Sequence, residues 1–308
     1  YRSERDLCHR GHSIMMKKLT LYLTATCCLF SMPSCDVDSP MLKGVVEDYH
    51  FPIPDPSDAY PVDSDKVHLF NIISHADIDN DIPQASLFAL YLGEVSQIAH
   101  DTVILYLHGN ASSMNQFWEP VRHLANLGGT HNYGVMTYDY RGFGQSEGPS
   151  TGTESMRQDL YAAMQFLYDN GLSNDRLMVI GSSLGSLPSG QEAGDATGPL
   201  TINKLLLESP QSSANFLMQN ASGLSLSSSM LTDFNFDLAA SMALYDGELL
   251  WFHGTEDDVA PTNSALEVYK AHKGSYKEAY LIPGVGHGFR WGWGKALWGE
   301  AIWSFMKH

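Results

Sequence analysis

The chain has 308 residues, 44% of them hydrophobic and 17% charged, with a formal net charge of −17. That length suits one large α/β domain or two small ones, and the apolar share is ample for a buried core. So acidic a balance argues against nucleic acid or an anionic lipid surface as the main partner, because both demand a basic face.

Residues 1–14 hold no methionine, which makes Met15 or Met16 the expected start. Lys17-Lys18 then precede a largely apolar stretch over 19–32, the order of an export signal. The stretch is too short to span a membrane comfortably, which takes roughly 20 residues. Met32-Pro33-Ser34-Cys35 closes it and resembles a bacterial lipoprotein signal, in which the cysteine is lipidated after cleavage. Met32 and Pro33 depart from the usual aliphatic-then-small pattern, so cleavage to a soluble secreted or periplasmic protein is the alternative. All four cysteines lie in the first 35 residues, which suits an exported domain that needs no disulfide. The expectation is an exported protein, anchored in the bacterial cell envelope through a lipid on Cys35.

Residues 36–65 are rich in Asp, Pro and Ser and read as a tether or an arm lying on the domain. From Lys66 to the C-terminus the pattern predicts strands over 67–73, 86–92, 102–107, 133–138, 177–180, 204–207, 249–252 and 279–282. Helices are expected over 114–126, 154–170, 184–193, 263–273 and 295–306. From Thr102 onward, short apolar strands alternate with amphipathic helices, which implies a mostly parallel central sheet with helices on both faces. The two earlier strands, with no helix between them, are expected to form an antiparallel edge. Residues 211–236, rich in Ser and Asn with scattered Leu, Met and Phe, have the length of a small cap or lid.

The strongest local signal is Leu177-Met178-Val179-Ile180 running into Gly181-Ser182-Ser183-Leu184-Gly185 and then a helix-compatible segment. This order describes a nucleophile elbow, a tight strand-to-helix turn that exposes Ser183 above the sheet edge. Gly144-Gln145-Ser146-Glu147-Gly148 matches the same pentapeptide. Its strand ends earlier, near Tyr138, and Pro149 favours a turn over an immediate helix, so Ser146 reads as a loop residue. Serine needs a base, and the base needs an orienting acid. The loop Thr255-Glu256-Asp257-Asp258 follows one predicted strand, and Pro283-Gly284-Val285-Gly286-His287-Gly288 follows the next. In a parallel sheet both loops share an edge with Ser183. Asp257, Asp258 and Glu256 compete for the acid, and His287 is the candidate base. His108-Gly109-Asn110 ends another strand, so the backbone N–H groups of Asn110 and Leu184 are candidates for an oxyanion hole. His108 and His253 are expected to pack or to bond loops, and Asp139 and Arg141 to fix their loop by an internal ion pair. Phe289, Trp291 and Trp293 read as core or surface residues before acyl-pocket residues. Neither cysteine pairs nor histidine spacing suggests a metal site, and no cofactor is implied.

Together, His108-Gly109-Asn110, Asp139-Tyr140-Arg141-Gly142-Phe143-Gly144-Gln145-Ser146, Gly181 to Gly185, His253-Gly254-Thr255-Glu256-Asp257 and Gly286-His287 resemble the α/β-hydrolase superfamily. They are most similar to its Bem46-like and serine aminopeptidase-like branch. The likeness covers roughly Lys66 to the C-terminus. It implies an α/β-hydrolase fold with Ser183 as nucleophile, Asp257 as acid and His287 as base. It also implies backbone donation from Asn110 and Leu184. The expected activity is cleavage of a small-molecule acyl ester through a covalent acyl-enzyme, with a peptidase or amidase as the alternative and a non-catalytic envelope lipoprotein behind both. The segment 211–236 lacks the long apolar helix of an interfacial lipase, which disfavours long-chain triglyceride.

Overall fold

The computed structural model describes residues 48–54, 58–110, 113–129, 133–149, 152–215 and 235–308. The export segment with Cys35, the first part of the arm and positions 216–234 of the expected cap lie outside the described residues.

Eight strands form one sheet: β1 (Val67–Ser74), β2 (Ala85–Leu92), β3 (Thr102–Leu107), β4 (Tyr133–Tyr138), β5 (Leu177–Ser182), β6 (Lys204–Glu208), β7 (Glu248–Gly254) and β8 (Lys277–Ile282). Their order is β1-β2-β4-β3-β5-β6-β7-β8. β1 pairs with β2, and β2 with β4, in antiparallel fashion; the pairings from β4 to β8 are parallel. Residues Val103 to Leu107 of β3 are all 0% exposed, which is the burial that a continuous apolar run requires in a sheet covered on both faces. β8 alternates between exposed and covered positions, as an edge strand does.

The helices are α1 (Trp118–Ala125), α2 (Thr153–Asp169), α3 (Ser186–Asp195), α4 (Leu238–Leu244), α5 (Thr262–Ala271), α6 (Phe289–Trp293) and α7 (Lys295–Met306). Two apolar layers flank the sheet, because successive side chains of a strand point to opposite faces. Val103, Leu105 and Leu107 of β3 join Leu160 and Leu167 of α2, Leu187 of α3, Met242 of α4 and Val268 of α5. Ile104 and Tyr106 join Trp118 and Leu124 of α1 and Trp298, Ile302 and Phe305 of α7.

Two departures from the sequence pattern have local causes. The single helix expected over 114–126 begins instead as a 3₁₀ turn (Met114–Phe117), capped by the Ser113 side chain, and becomes α-helical only at Trp118. Pro120 then lies in the first turn of α1, the place where a missing N–H costs least. The helix α4 was not anticipated; seven residues are too few to show a period, although Asp237 caps it by accepting the Ala240 N–H at 2.9 Å.

His123 on α1 is packed between the rings of Tyr60, 4.0 Å away, and Trp298, 5.1 Å away. Burial pushes its pKa down to about 4, and burial also lowers those of His253 and His272. The unfolded chain takes up protons at these imidazoles near their ordinary value, whereas the folded chain resists them. Stability contributed by keeping them neutral is therefore complete above about pH 6.5 and is lost as the pH falls, for His123 toward about 4. Denaturant midpoints measured between pH 7 and pH 4.5 should decline, and His123→Gln should decline less steeply than the parent.

Candidate active site

β5 ends at Ser182, and a 3₁₀ turn (Ser183–Gly185) leads straight into α3. Ser183 has φ of +50°, a left-handed conformation that is uncommon for a non-glycine residue and is held only where neighbours over-determine it. The flanking glycines supply that constraint. A Cβ at Gly185 would overlap the Leu107 carbonyl oxygen of β3, and one at Gly181 would lie 2.7 Å from the Gly185 carbonyl oxygen. The turn can be this tight only because both positions are bare.

The structure brings His287 between Ser183 and Asp257. Its Nε2 is 2.8 Å from the Ser183 hydroxyl, and its Nδ1 lies 2.8 Å and 3.1 Å from the two carboxylate oxygens of Asp257. Asp257 is buried, while Glu256 and Asp258 are exposed, so only the middle acid faces the imidazole. The Asp257 Oδ1 also accepts the N–H groups of Val259, at 3.0 Å, and Ala260, at 2.8 Å. Burial works to raise the Asp257 pKa, but the hydrogen bonds from His287 and Ala260 and the nearby imidazoles outweigh it and hold the carboxyl below its ordinary value.

The loops that carry Asp257 and His287 are also joined to each other. Thr255 N–H donates to Ile282 at 3.0 Å, Glu256 N–H to Val285 at 2.9 Å, and Gly284 N–H to the Thr255 hydroxyl at 2.9 Å. Beneath them His253 stacks on Trp251 and engages the Ala260 carbonyl at 2.8 Å. Its Nε2 lies 3.7 Å from Asp257, and burial lowers its pKa, so it serves as a neutral support.

Asn110 and Leu184 follow neighbouring strands. The register pairs Leu107 with Gly181, so each residue lies three positions beyond a paired residue. A Cβ at Gly109 would lie 3.3 Å from the Ser183 Cβ, which puts the Asn110 loop directly beside the serine. Among the described residues, no group of three or more His, Cys, Asp or Glu side chains is arranged to hold a metal ion.

Several side chains differ from expectation or carry more than their sequence context suggested. Asp139 and Arg141 do not pair with each other, because the turn after Tyr140 sends them to different neighbours. Arg141 meets Asp159 of α2, with Nη2 at 2.7 Å and Nε at 2.9 Å from Oδ1, both side chains being fully buried. Asp139 instead lies 3.1 Å from His108 Nε2 and accepts the Met114 N–H at 2.6 Å. Ser146 donates to the Asp139 carbonyl at 2.6 Å and accepts the Phe88 N–H at 2.9 Å, so its hydroxyl ties β4 to β2. Trp293 packs against Phe252 and Tyr280, with centroids 5.5 Å and 5.1 Å away. A polar group beyond the His287 loop escaped sequence reading: Arg290 bonds the Tyr106 hydroxyl at 3.3 Å and lies over Trp298, whose indole donates to Glu208 at 2.6 Å. Its signal was weak because these residues are far apart in sequence.

A mostly parallel eight-stranded sheet, helices on both faces and a serine on a strained turn after β5 make up the α/β-hydrolase fold. The family model described as alpha/beta hydrolase fold matches residues 102–230. The uncharacterized protein YfhR of Salmonella typhi is 27% identical over 196 residues, which are 60% of this chain and 63% of that protein. Alpha/beta hydrolase domain-containing protein 17C of Mus musculus is 28% identical over 189 residues, 60% of this chain and 53% of that protein. The chain thus spans between about half and just under two thirds of the length of these curated relatives. Among solved structures, the Pyrococcus furiosus esterase Pf2001 superposes with a TM-score of 0.63 at 18% identity, over 86% of this chain and 95% of that one. The Exiguobacterium antarcticum esterase EaEST gives 0.56 at 18% identity, over 73% and 96%. At such identity the likeness is one of fold.

Ser146→Ala removes two half-buried hydrogen bonds while leaving the elbow intact. It should cost about 0.5–1.5 kcal/mol in chemical denaturation, the range for losing an ordinary intramolecular hydrogen bond.

Proposed function

We propose that the protein is a serine hydrolase that cleaves carboxylic esters of small or medium acyl chain through a covalent acyl-enzyme. The observation that carries this reading is the unbroken hydrogen-bond chain from the Ser183 hydroxyl through the His287 ring to the Asp257 carboxylate, each step 2.8 Å. The esterase folds of similar shape from Pyrococcus furiosus and Exiguobacterium antarcticum lend it support.

In this mechanism His287 Nε2 takes the Ser183 proton as Oγ attacks the ester carbonyl carbon. Asp257 accepts from Nδ1–H, keeping Nε2 free as the base and stabilising the imidazolium that forms. The carbonyl oxygen becomes an oxyanion facing the N–H groups of Asn110 and Leu184 at the start of the turn into α3. Collapse expels the alcohol, which leaves with the proton from His287, and Ser183 carries the acyl group. Water then gives a proton to His287 and attacks; the acid departs and the proton returns to Ser183. An amide substrate would follow the same path with a poorer leaving group, and the serine aminopeptidase-like motifs keep that reading in view. The Lys17-Lys18, apolar 19–32 and Cys35 pattern supports export and a lipid anchor as part of the proposal.

A panel of p-nitrophenyl acyl esters beside aminoacyl anilides tests the reaction class. Hydrolysis fastest on acetyl to hexanoyl esters is expected, and turnover confined to anilides would replace esterase with peptidase. Ser183→Ala should abolish turnover and labelling by a fluorophosphonate probe, and persistent labelling at Ser146 would overturn the assignment. Asp257→Asn should lower kcat by roughly 10⁴-fold with little change in KM. In an expressing bacterium, Cys35→Ala should move the protein from the membrane to the soluble fraction, and unchanged fractionation would refute the anchor.

A further inference from the structure

The described part of the N-terminal arm reaches the loop beside the proposed nucleophile. Tyr49 donates its hydroxyl to the Asp139 carboxylate and accepts the Gln145 N–H at 2.8 Å. Its ring stacks on Phe88 of β2, with centroids 4.7 Å apart. Phe51 packs edge-on against Trp118, the Trp118 indole donates to the Pro52 carbonyl at 2.9 Å, and the His50 N–H donates to Asn115 at 2.9 Å. The contacts to Asn115 and Trp118 fall on the segment that follows Asn110, and Asp139 lies against His108.

Asp139 is the junction. One carboxylate oxygen lies 3.1 Å from His108 Nε2 and 2.6 Å from the Met114 N–H, so it touches the chain on both sides of Asn110. The other oxygen receives Tyr49. Both His108 and Asp139 are fully buried, where an unbalanced carboxylate is costly and each donor matters. Gly144 has φ of +52°, and a Cβ there would overlap both the Asp139 carboxylate and the Tyr49 hydroxyl. The turn after β4 is thus shaped to admit a side chain delivered from 90 residues upstream.

We infer that Asp139 and Tyr49 form a clamp that sets the position of the Asn110 N–H, which makes the N-terminal arm a positioning element of the catalytic apparatus. This rests on the serine-hydrolase reading, in which that N–H faces the oxyanion. Loosening the clamp lets the donor drift by a fraction of an ångström and weakens a contact that exists only in the transition state. Such a loss lowers kcat and leaves substrate binding alone.

Tyr49→Phe keeps the stacking and removes only the hydroxyl; Asp139→Asn keeps the shape and removes the charge. Tyr60→Phe is the control, since Tyr60 lies on the same arm but its ring stacks on His123 of α1. On a p-nitrophenyl ester, Tyr49→Phe should lower kcat roughly tenfold and Asp139→Asn up to roughly 10²-fold, with KM nearly constant, as expected of small misplacements in a site. Affinity for an alkyl boronic acid, which takes the tetrahedral form on the serine, should fall by the same factors. By hydrogen-exchange mass spectrometry, peptides containing Gly109, Asn110 and Met114 should exchange faster in both variants and not in Tyr60→Phe. Unchanged exchange in those peptides would overturn the inference. So would faster exchange with kcat and boronate affinity intact, or a change in KM alone. A parent protein inert toward esters and anilides would instead overturn the hydrolase reading, while hydrogen exchange would still decide whether Tyr49 holds the loop.

Discussion

Two-sided burial of the parallel strands governs everything else in this molecule. β3, β5, β6 and β7 carry apolar residues toward both faces, so helices must cover both. Parallel neighbours also force each chain to return outside the sheet before the next strand begins. Polar chemistry is then excluded from the strands and confined to their ends. The carboxyl ends of β3, β5, β7 and β8 open on one edge, with the order reversing around β3, so β4 lies on one side of it and β5 on the other. That reversal is where α/β sheets leave a crevice for a ligand, and Ser183, Asn110, Asp257 and His287 all emerge along that edge.

Buried charge is handled differently on the two sides of this edge. The Arg141–Asp159 pair is wholly enclosed, with Arg141 also donating to Ser74 at 2.6 Å and to Pro83 at 2.9 Å. Burial raises the Asp159 pKa against the pull of Arg141, which marks a pair that fixes geometry more than it stabilises the fold. Asp257 is the opposite case: its many donors outweigh burial and keep it ionised. One carboxylate anchors a loop, while the other stays available to orient a ring.

Much of the fold was legible because periodicity is a local property. The strands appear within a few residues of their expected limits, and β5 simply runs on through Gly181 and Ser182. Asp257 was less legible. Among three adjacent acids only resemblance chose it; the physical mark that separates it, caps from the Val259 and Ala260 N–H groups, becomes visible only once the turn is folded. The Asp139–Arg141 pairing failed because two residues two apart were assumed to share a neighbourhood, whereas a turn begins between them. α6 and the Arg290, Tyr106, Trp298 and Glu208 group were hidden for a related reason, since their meaning lies in contacts across long stretches of chain.

The backbone zipper between the loops after β7 and β8 has a mechanical implication. Thr255, Glu256 and Gly284 lock those two loops into one body, so Asp257 and His287 travel together. Ser183 belongs to a different body, the stiff corner between β5 and α3. Displacement of one of these loops carries the other with it, so the Ser183–His287 contact is the one that joins separate elements. In the hydrolase reading proposed above, an opened site would lose the Ser183–His287 contact first and keep His287 and Asp257 together, ready to re-engage.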